Sequence, residues 1–331
     1  MISGPPAEAD PLDAAVADAS TRSDVLVIGS GVSGLTTALC LAEAGHAVRV
    51  RTAAPPEQTT SRAAGAIWGS TFAGPADKVG GWASASLEAF RELASRSDTG
   101  VTIASGTLAS GGGQAPPPHV FPGVDVRPCD VPEGFAAGFK ITIPVVDMPR
   151  YLDHLVARLE AAEVRIELCP VASLHEAARE APVVVNCAGL GARELASDPT
   201  LRSVRGQHVV VENPGLDEFF MTEPFGPAWT SWVPHRDRVV LGGVAQEDDW
   251  DIEPRSGDAE RILERCAQLE PRLGGARVLE HQVGLRPARD EVRVEAEQLG
   301  GVRLVHNYGH GGTGVGLSWG CAREVVALIG G

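Results

Sequence analysis

The chain has 331 residues, 44% of them hydrophobic and 21% charged, so it can bury an ample core as one large domain or two modest ones. A formal net charge of −15 excludes a nucleic-acid surface, which needs clustered Lys and Arg. It leaves room for a small anionic or zwitterionic ligand, since one buried Arg can dominate a pocket. Six cysteines, at positions 40, 129, 169, 187, 266 and 321, show neither CxxC nor metal-ligand spacing, which predicts no metal and a reducing cytoplasm. Residues 1–22, rich in Ala, Asp and Pro, predict a mobile tail and lack the basic start and apolar run of a signal peptide. No apolar run is long enough to predict a bilayer span, and the ending Leu328-Ile329-Gly330-Gly331 carries no peroxisomal address.

From Asp24 to Arg51 the pattern predicts strand, glycine-rich turn, helix and strand: Val25 to Ile28 runs into Gly29-Ser-Gly31-Val-Ser-Gly34, and Leu35, Ala38, Leu39 and Ala42 share one helical face. Thr59 to Gly69 reads as an ordered loop, Trp82 to Leu93 as a helix, and Ser105 to Pro118 as a surface connection. Phe139 to Val146 alternates as a strand, and Met148 to Ala162 is an amphipathic helix. Val164 to Leu168 and Val183 to Asn186 follow as strands, the second a continuous apolar run suited to a buried parallel position. Gln207 to Glu212, Arg238 to Leu241, Arg277 to Val283, Val292 to Glu295 and Val302 to His306 are further strands. Ala259 to Leu269 and Leu317 to Ile329 are helices. Parallel βαβ units at both ends, with an antiparallel block between, predict an α/β protein. Its Rossmann-like cofactor domain is discontinuous, built from 23–75, 147–200 and 284–331. A second, mixed antiparallel β-rich domain is built from 76–146 and 201–283.

The chemistry sits in two glycine turns. In the first, Gly29 permits a tight turn, Gly31 lets a pyrophosphate approach the backbone and Gly34 lets the helix pack closely. The carboxylate expected at the end of the second strand is missing. Arg51 stands there instead, which suits the 2′-phosphate of NADP and keeps an NADP-dependent reductase open. The second turn, His310-Gly311-Gly312-Thr313-Gly314-Val315-Gly316, is bare backbone entering a helix, as needed where a flat ring lies against it. A helix N-terminus at the negative N1–C2=O edge of a reduced flavin is worth ~0.3–1 kcal/mol. Gly316-Leu-Ser318-Trp-Gly320 matches a hydrolase nucleophile elbow, but no Asp or His follows it, so Ser318 reads as a helix residue. His306 and His310 straddle a strand end and a turn with no third ligand, which argues against metal.

Taken together, Gly29 to Thr37, Arg62-Ala-Ala-Gly-Ala-Ile-Trp68, Asn186-Cys-Ala-Gly189, Arg205-Gly-Gln207, Gly284-Leu-Arg-Pro287 and His306-Asn-Tyr-Gly-His-Gly-Gly312 resemble the D-amino-acid oxidases, in that family's order and over nearly everything after Arg22. The resemblance implies an FAD enzyme that moves a hydride from the Cα of a D-amino acid to flavin N5 and passes electrons to O2. The products are a 2-oxo acid, ammonia and hydrogen peroxide. By position, Ser30, Gly31, Val32, Ser33, Thr59, Thr60, Ser61, Ala64, Gly65, Ala66 and Val171 would line the FAD, with Gly311, Gly314, Val315, Gly316 and Arg286. Arg286 would clamp the substrate carboxylate, and the Gly312 carbonyl would accept from the amine. Tyr308 would pack beside the pocket. The partners implied are a small D-amino acid and O2, with neither nucleic acid nor membrane, and with room for a homodimer.

Two departures from that family stand out. Ala53 and Ala54 replace the charged pair often found near the adenosine ribose. The family's carboxylate-holding tyrosine falls at Ser231, counted back from Pro234, and the chain's two tyrosines, Tyr151 and Tyr308, lie elsewhere. Trp229 and Trp232 bracket Ser231, which predicts a pocket of altered volume with an aromatic wall and a role for Ser231 and Trp232 in the site. A glycine or secondary-amine oxidase, a D-amino-acid dehydrogenase and a non-catalytic flavoprotein stay open beside the oxidase.

Overall fold

Four consecutive apolar residues make β1 (Val25–Ile28) a strand buried on both faces. The computed structural model describes residues 24–70, 73–117, 119–223 and 228–330; the tail expected over 1–22 lies outside them. β1 leads into α1 (Val32–Glu43) and β2 (Val48–Thr52). The loop that follows holds two short 3-10 turns and docks on the sheet, where Trp68 N–H donates to the Pro144 carbonyl at 2.9 Å. Next come α2 (Ala76–Ala94), β3 (Val101–Ser110), β4 (Arg127–Cys129), β5 (Ala137–Val146), α3 (Met148–Ala161) and β6 (Arg165–Leu168). After α4 (Leu174–Ala177), β7 (Val183–Asn186) and α5 (Ala192–Leu195), a run of strands begins: β8 (Arg202–Glu212), β9 (Phe219–Thr222), β10 (Ala228–Pro234), β11 (Arg238–Val244) and β12 (Gln246–Glu247). α6 (Ser256–Leu269), β13 (Val278–Leu299), β14 (Val302–His310) and α7 (Gly314–Gly330) complete the chain.

All strands join one sheet in the order β6-β2-β1-β7-β14-β13-β8-β11-β10-β9-β3-β5-β4, with β12 paired to β8. The pairs from β6 to β14 are parallel, as βαβ crossovers require. From β14 onward the pairs are antiparallel, apart from β3 with β9. The sheet therefore changes character at β14, next to the second glycine turn.

Two expectations fail here for identifiable reasons. Ser105 to Pro118 is not a single surface connection: β3 runs through Ser110 and pairs with β5 and β9. Its Gly106 is bare because the Phe219 ring lies over it, 2.3 Å from where a Cβ would be. Pro118 lies outside the described residues. The two strands expected at 277–283 and 292–295 are one 22-residue strand, β13. Its first half pairs with β8 and its second with β14, and Gly284 and Pro287 sit within it as paired residues rather than breaking it.

β13 thus crosses the boundary drawn at 283/284 unbroken. α2, assigned by sequence to the second unit, docks on α7 instead. A Cβ on Gly320 would lie 2.2 Å from the Trp82 carbonyl oxygen, Gly320 N–H donates to Ser86 Oγ at 3.0 Å, and Lys78 pairs with Glu324 at 2.7 Å. Ser318, in α7, is fully buried and donates to the Val315 carbonyl, so it is not an exposed nucleophile. Among the described residues no helix is long and apolar enough to cross a membrane.

Candidate active site

A cavity of about 610 Å³ opens where the parallel and antiparallel parts of the sheet meet. One end is built by the first turn. Gly29 takes φ +108°, a left-handed conformation that favours glycine, and a Cβ on Gly34 would sit 1.9 Å from the Gly29 carbonyl oxygen. α1 can therefore seat itself directly on the turn. Gly31 caps α1 with no side-chain acceptor, and Val32 N–H finds Ser61 Oγ at 2.9 Å. Ser30 is buried, its hydroxyl bonded to Thr52 Oγ1 and the Ala54 carbonyl, which ties the turn to the end of β2.

Arg51 does not reach this cavity as a phosphate ligand. It is buried, pairs with Glu176 at 2.9 Å and with Glu180, and donates to the carbonyls of Cys169 and Pro170. A guanidinium so occupied ties β2 to the loop after β6, and the NADP reading loses its one supporting residue. Arg51→Ala should accordingly destabilise the fold by about 1–3 kcal/mol, seen as a lower urea midpoint, without changing which nucleotide binds.

The other end of the cavity lies on the antiparallel floor. Register places Arg286 of β13 opposite Val204 of β8, and its side chain crosses the next same-face residue, Gly206. A Cβ on Gly206 would lie 2.5 Å from both terminal nitrogens of Arg286, so only glycine allows the crossing. Nη1 donates to the Val244 carbonyl at 3.0 Å, and the guanidinium lies over the Trp229 ring, 5.6 Å from its centroid. Among the described residues no carboxylate is in salt-bridge range of Arg286. Burial alone pushes its pKa down to about 10. A desolvated cation with spare N–H donors and no counter-charge is a site for an anion.

Of the residues expected from the sequence, Ser30, Gly31, Val32, Ser33, Thr59, Thr60, Ser61, Ala64, Val171, Arg286, Tyr308, Gly311, Gly312, Gly314 and Val315 line this one cavity. Others do not. Ala66 is a core residue whose carbonyl accepts from Val146 N–H, and Gly65 packs between His208 and Val240. Gly316 is bare for α7 to meet Gly69, whose carbonyl oxygen lies 2.2 Å from the missing Cβ.

Trp232 points the other way. Trp229 lies against Arg286 and Ser231 beside Gly242, while Trp232 stacks on Phe220 at 4.4 Å in the core cluster beneath α6. The aromatic neighbour of the site is thus Trp229. Ser231 is buried at its edge, its hydroxyl beside Gly242. Tyr308 borders the cavity but its hydroxyl is engaged, donating to Asp198 at 2.9 Å and accepting from Arg293 at 2.8 Å. That leaves it a structural role.

Sequence reasoning missed three polar groups that face this space. His310 Nε2 and Asn307 Oδ1 are buried without a partner, and His208 adds an imidazole to the floor. Burial pushes the pKa of His310 down to about 4, so it is neutral. The bare first turn, the unsatisfied atoms beside the second and the uncovered start of α7 fit a dinucleotide with a flat ring at its far end. Alternation along β8 from Gly206 was the signal that could have found His208.

A glycine turn of the nucleotide-binding kind facing a floor with an unpaired guanidinium suits an oxidoreductase that holds a dinucleotide. The chain belongs to the DAO family of FAD dependent oxidoreductases, whose pattern it matches over residues 24–328. It is 47% identical over 310 residues to a D-amino-acid oxidase of Rubrobacter xylanophilus, covering 92% of this chain and 95% of that one. It is 46% identical over 319 residues to a D-amino-acid oxidase of Streptomyces coelicolor, covering 94% and 98%. Among solved structures, glycine oxidase from Bacillus cereus superposes with a TM-score of 0.76 over 93% of this chain and 95% of that one; at 21% identity this likeness speaks for the fold.

Proposed function

We propose that the protein oxidises D-amino acids with FAD and O2, yielding a 2-oxo acid, ammonia and hydrogen peroxide with one water consumed. Bound FAD supplies the two-electron acceptor for the Cα–H and the route for those electrons to O2. Arg286 holds the substrate carboxylate with its planar fork, and the Gly312 carbonyl, on a turn where a Cβ on Gly312 would lie 3.6 Å from Arg286 Cδ, accepts from the amine. With both groups pinned, one enantiomer alone would turn its Cα–H toward the space the flavin ring would fill, so orientation carries both rate and handedness. Ser30 to Ser33 and Thr59 to Ser61 hold the nucleotide end. Ala53 and Ala54 give that end no charged partner, so its grip falls to backbone N–H groups and hydroxyls.

The observation that carries this reading is the half-buried, unpaired Arg286 at the far end of the cavity from the first glycine turn. Six free cysteines suit a reducing cytoplasm, and sedimentation of the holoenzyme decides whether it is a homodimer. The test is stoichiometry in air: peroxide and ammonia should appear in equal amounts with a D-amino acid. Turnover without peroxide would turn the reading into a dehydrogenase.

A further inference from the structure

Beside Arg286 the floor of the cavity is stripped to glycine. Gly206 lies under the guanidinium, Gly284 of β13 pairs opposite it, and Gly242 of β11, across the other edge of β8, is bare against His208. One large side chain, His208, stands among them, on the same face of β8 as Gly206. A Cβ on Gly242 would lie 2.8 Å from His208 Cδ2, 3.0 Å from Nε2 and 3.1 Å from Ser231 Oγ, so imidazole and hydroxyl meet over that one bare Cα. His208 Nδ1 is 2.7 Å from the Ala63 carbonyl oxygen. A carbonyl only accepts, so Nδ1 carries the proton and Nε2 keeps its lone pair. Among the described residues nothing bonds to Nε2, and the ring lines the cavity. Burial, then the nearby Arg286, push the pKa of this histidine down to about 4 and keep it neutral. An apolar residue would pave this floor without leaving a bare acceptor.

We propose that His208 Nε2, with the Ser231 hydroxyl beside it, reads the substrate's side chain and favours D-amino acids carrying a neutral hydrogen-bond donor over apolar ones of the same shape. The proposal rests on the D-amino-acid reading above and names the substrate class of that site. A cationic side chain is disfavoured by the charge of Arg286, and a carboxylate would set its oxygens against the imidazole lone pair. Hydroxyl and primary amide groups remain. They gain a bond at Nε2 that an isosteric methyl cannot make, and a site built for such a bond discriminates strongly against the analogue lacking it.

The test compares kcat/KM of the holoenzyme on isosteric pairs: D-threonine with D-valine, D-asparagine with D-leucine, and D-glutamine with D-methionine. The wild type should favour the polar member in at least one pair. In that pair His208→Leu should lower the polar-to-apolar ratio about tenfold, and His208→Gln, which keeps an acceptor, should retain most of it. A wild type that prefers the apolar member of every pair overturns the proposal without any variant, as does a ratio that His208→Leu leaves unmoved. A flavin-loaded wild type that oxidises no D-amino acid at all removes the underlying reading and this proposal with it, an outcome recognisable because all six substrates are then silent.

Discussion

Replacing Arg286 with Ala is expected to lower kcat/KM for D-amino acids by roughly 10²–10⁴-fold while the protein still takes up FAD. Each charge-assisted bond from a guanidinium to a carboxylate is worth about 1.5–3 kcal/mol, and the fork makes two of them. The loss should fall on KM and kcat together, because a substrate no longer anchored at its acid end is also misaimed at Cα. Among the described residues none makes a salt bridge with it, and its hydrogen bond there is to the Val244 carbonyl. Removing it should therefore leave the urea midpoint close to that of the wild type. Arg286→Lys should recover only part of the loss, since a point charge cannot reproduce the fork or lie flat over Trp229. Intact turnover in Arg286→Ala would show that the carboxylate is held elsewhere.

The second large effect is expected at the first turn. Gly34→Val places a branched side chain whose Cβ would begin 1.9 Å from the Gly29 carbonyl oxygen, a backbone atom that cannot swing aside. α1 must lift off the turn, at a cost of about 1–3 kcal/mol or more in packing strain, and its N–H groups leave the phosphate position. Since 1.4 kcal/mol is tenfold in affinity, the purified variant should carry about a tenth of the wild-type flavin or less, measured from its visible absorbance. Gly80→Ala in α2, where nothing lies within 4 Å of the missing Cβ, is the control. It should leave flavin content unchanged and raise stability slightly, as Ala is the better helix former.

Much of this was legible in the amino-acid order because the decisive features are local. The turn after β1 is written in three glycines between an apolar run and an amphipathic helix, and the ring-side turn in glycines ahead of α7. Arg286 could be singled out from the short segment around it. What escaped was set by tertiary partners. Gly and Pro within 284–287 look like a strand break, yet the chain stays extended because β8 offers it an unbroken ladder. Arg51 resembles a phosphate ligand until Glu176 and Glu180 arrive from more than a hundred residues away. Gly316 looks like cofactor contact but is bare for a loop, Gly69, that only the fold brings there. Trp232 differs from these: it adjoins Ser231 in sequence, but the two-residue period of a strand puts it on the opposite face. His208 was passed over because its significance depends on the glycines of three neighbouring strands.

The central claim is that a carboxylate held by Arg286 presents the Cα–H of a D-amino acid, and not its mirror image, to a flavin in this cavity. Anaerobic titration of the yellow holoenzyme tests it most directly. A D-amino acid that is turned over in air should bleach the visible flavin band completely, and the L-enantiomer at the same concentration should leave it untouched. Equal bleaching by both forms, or by neither, would contradict the account.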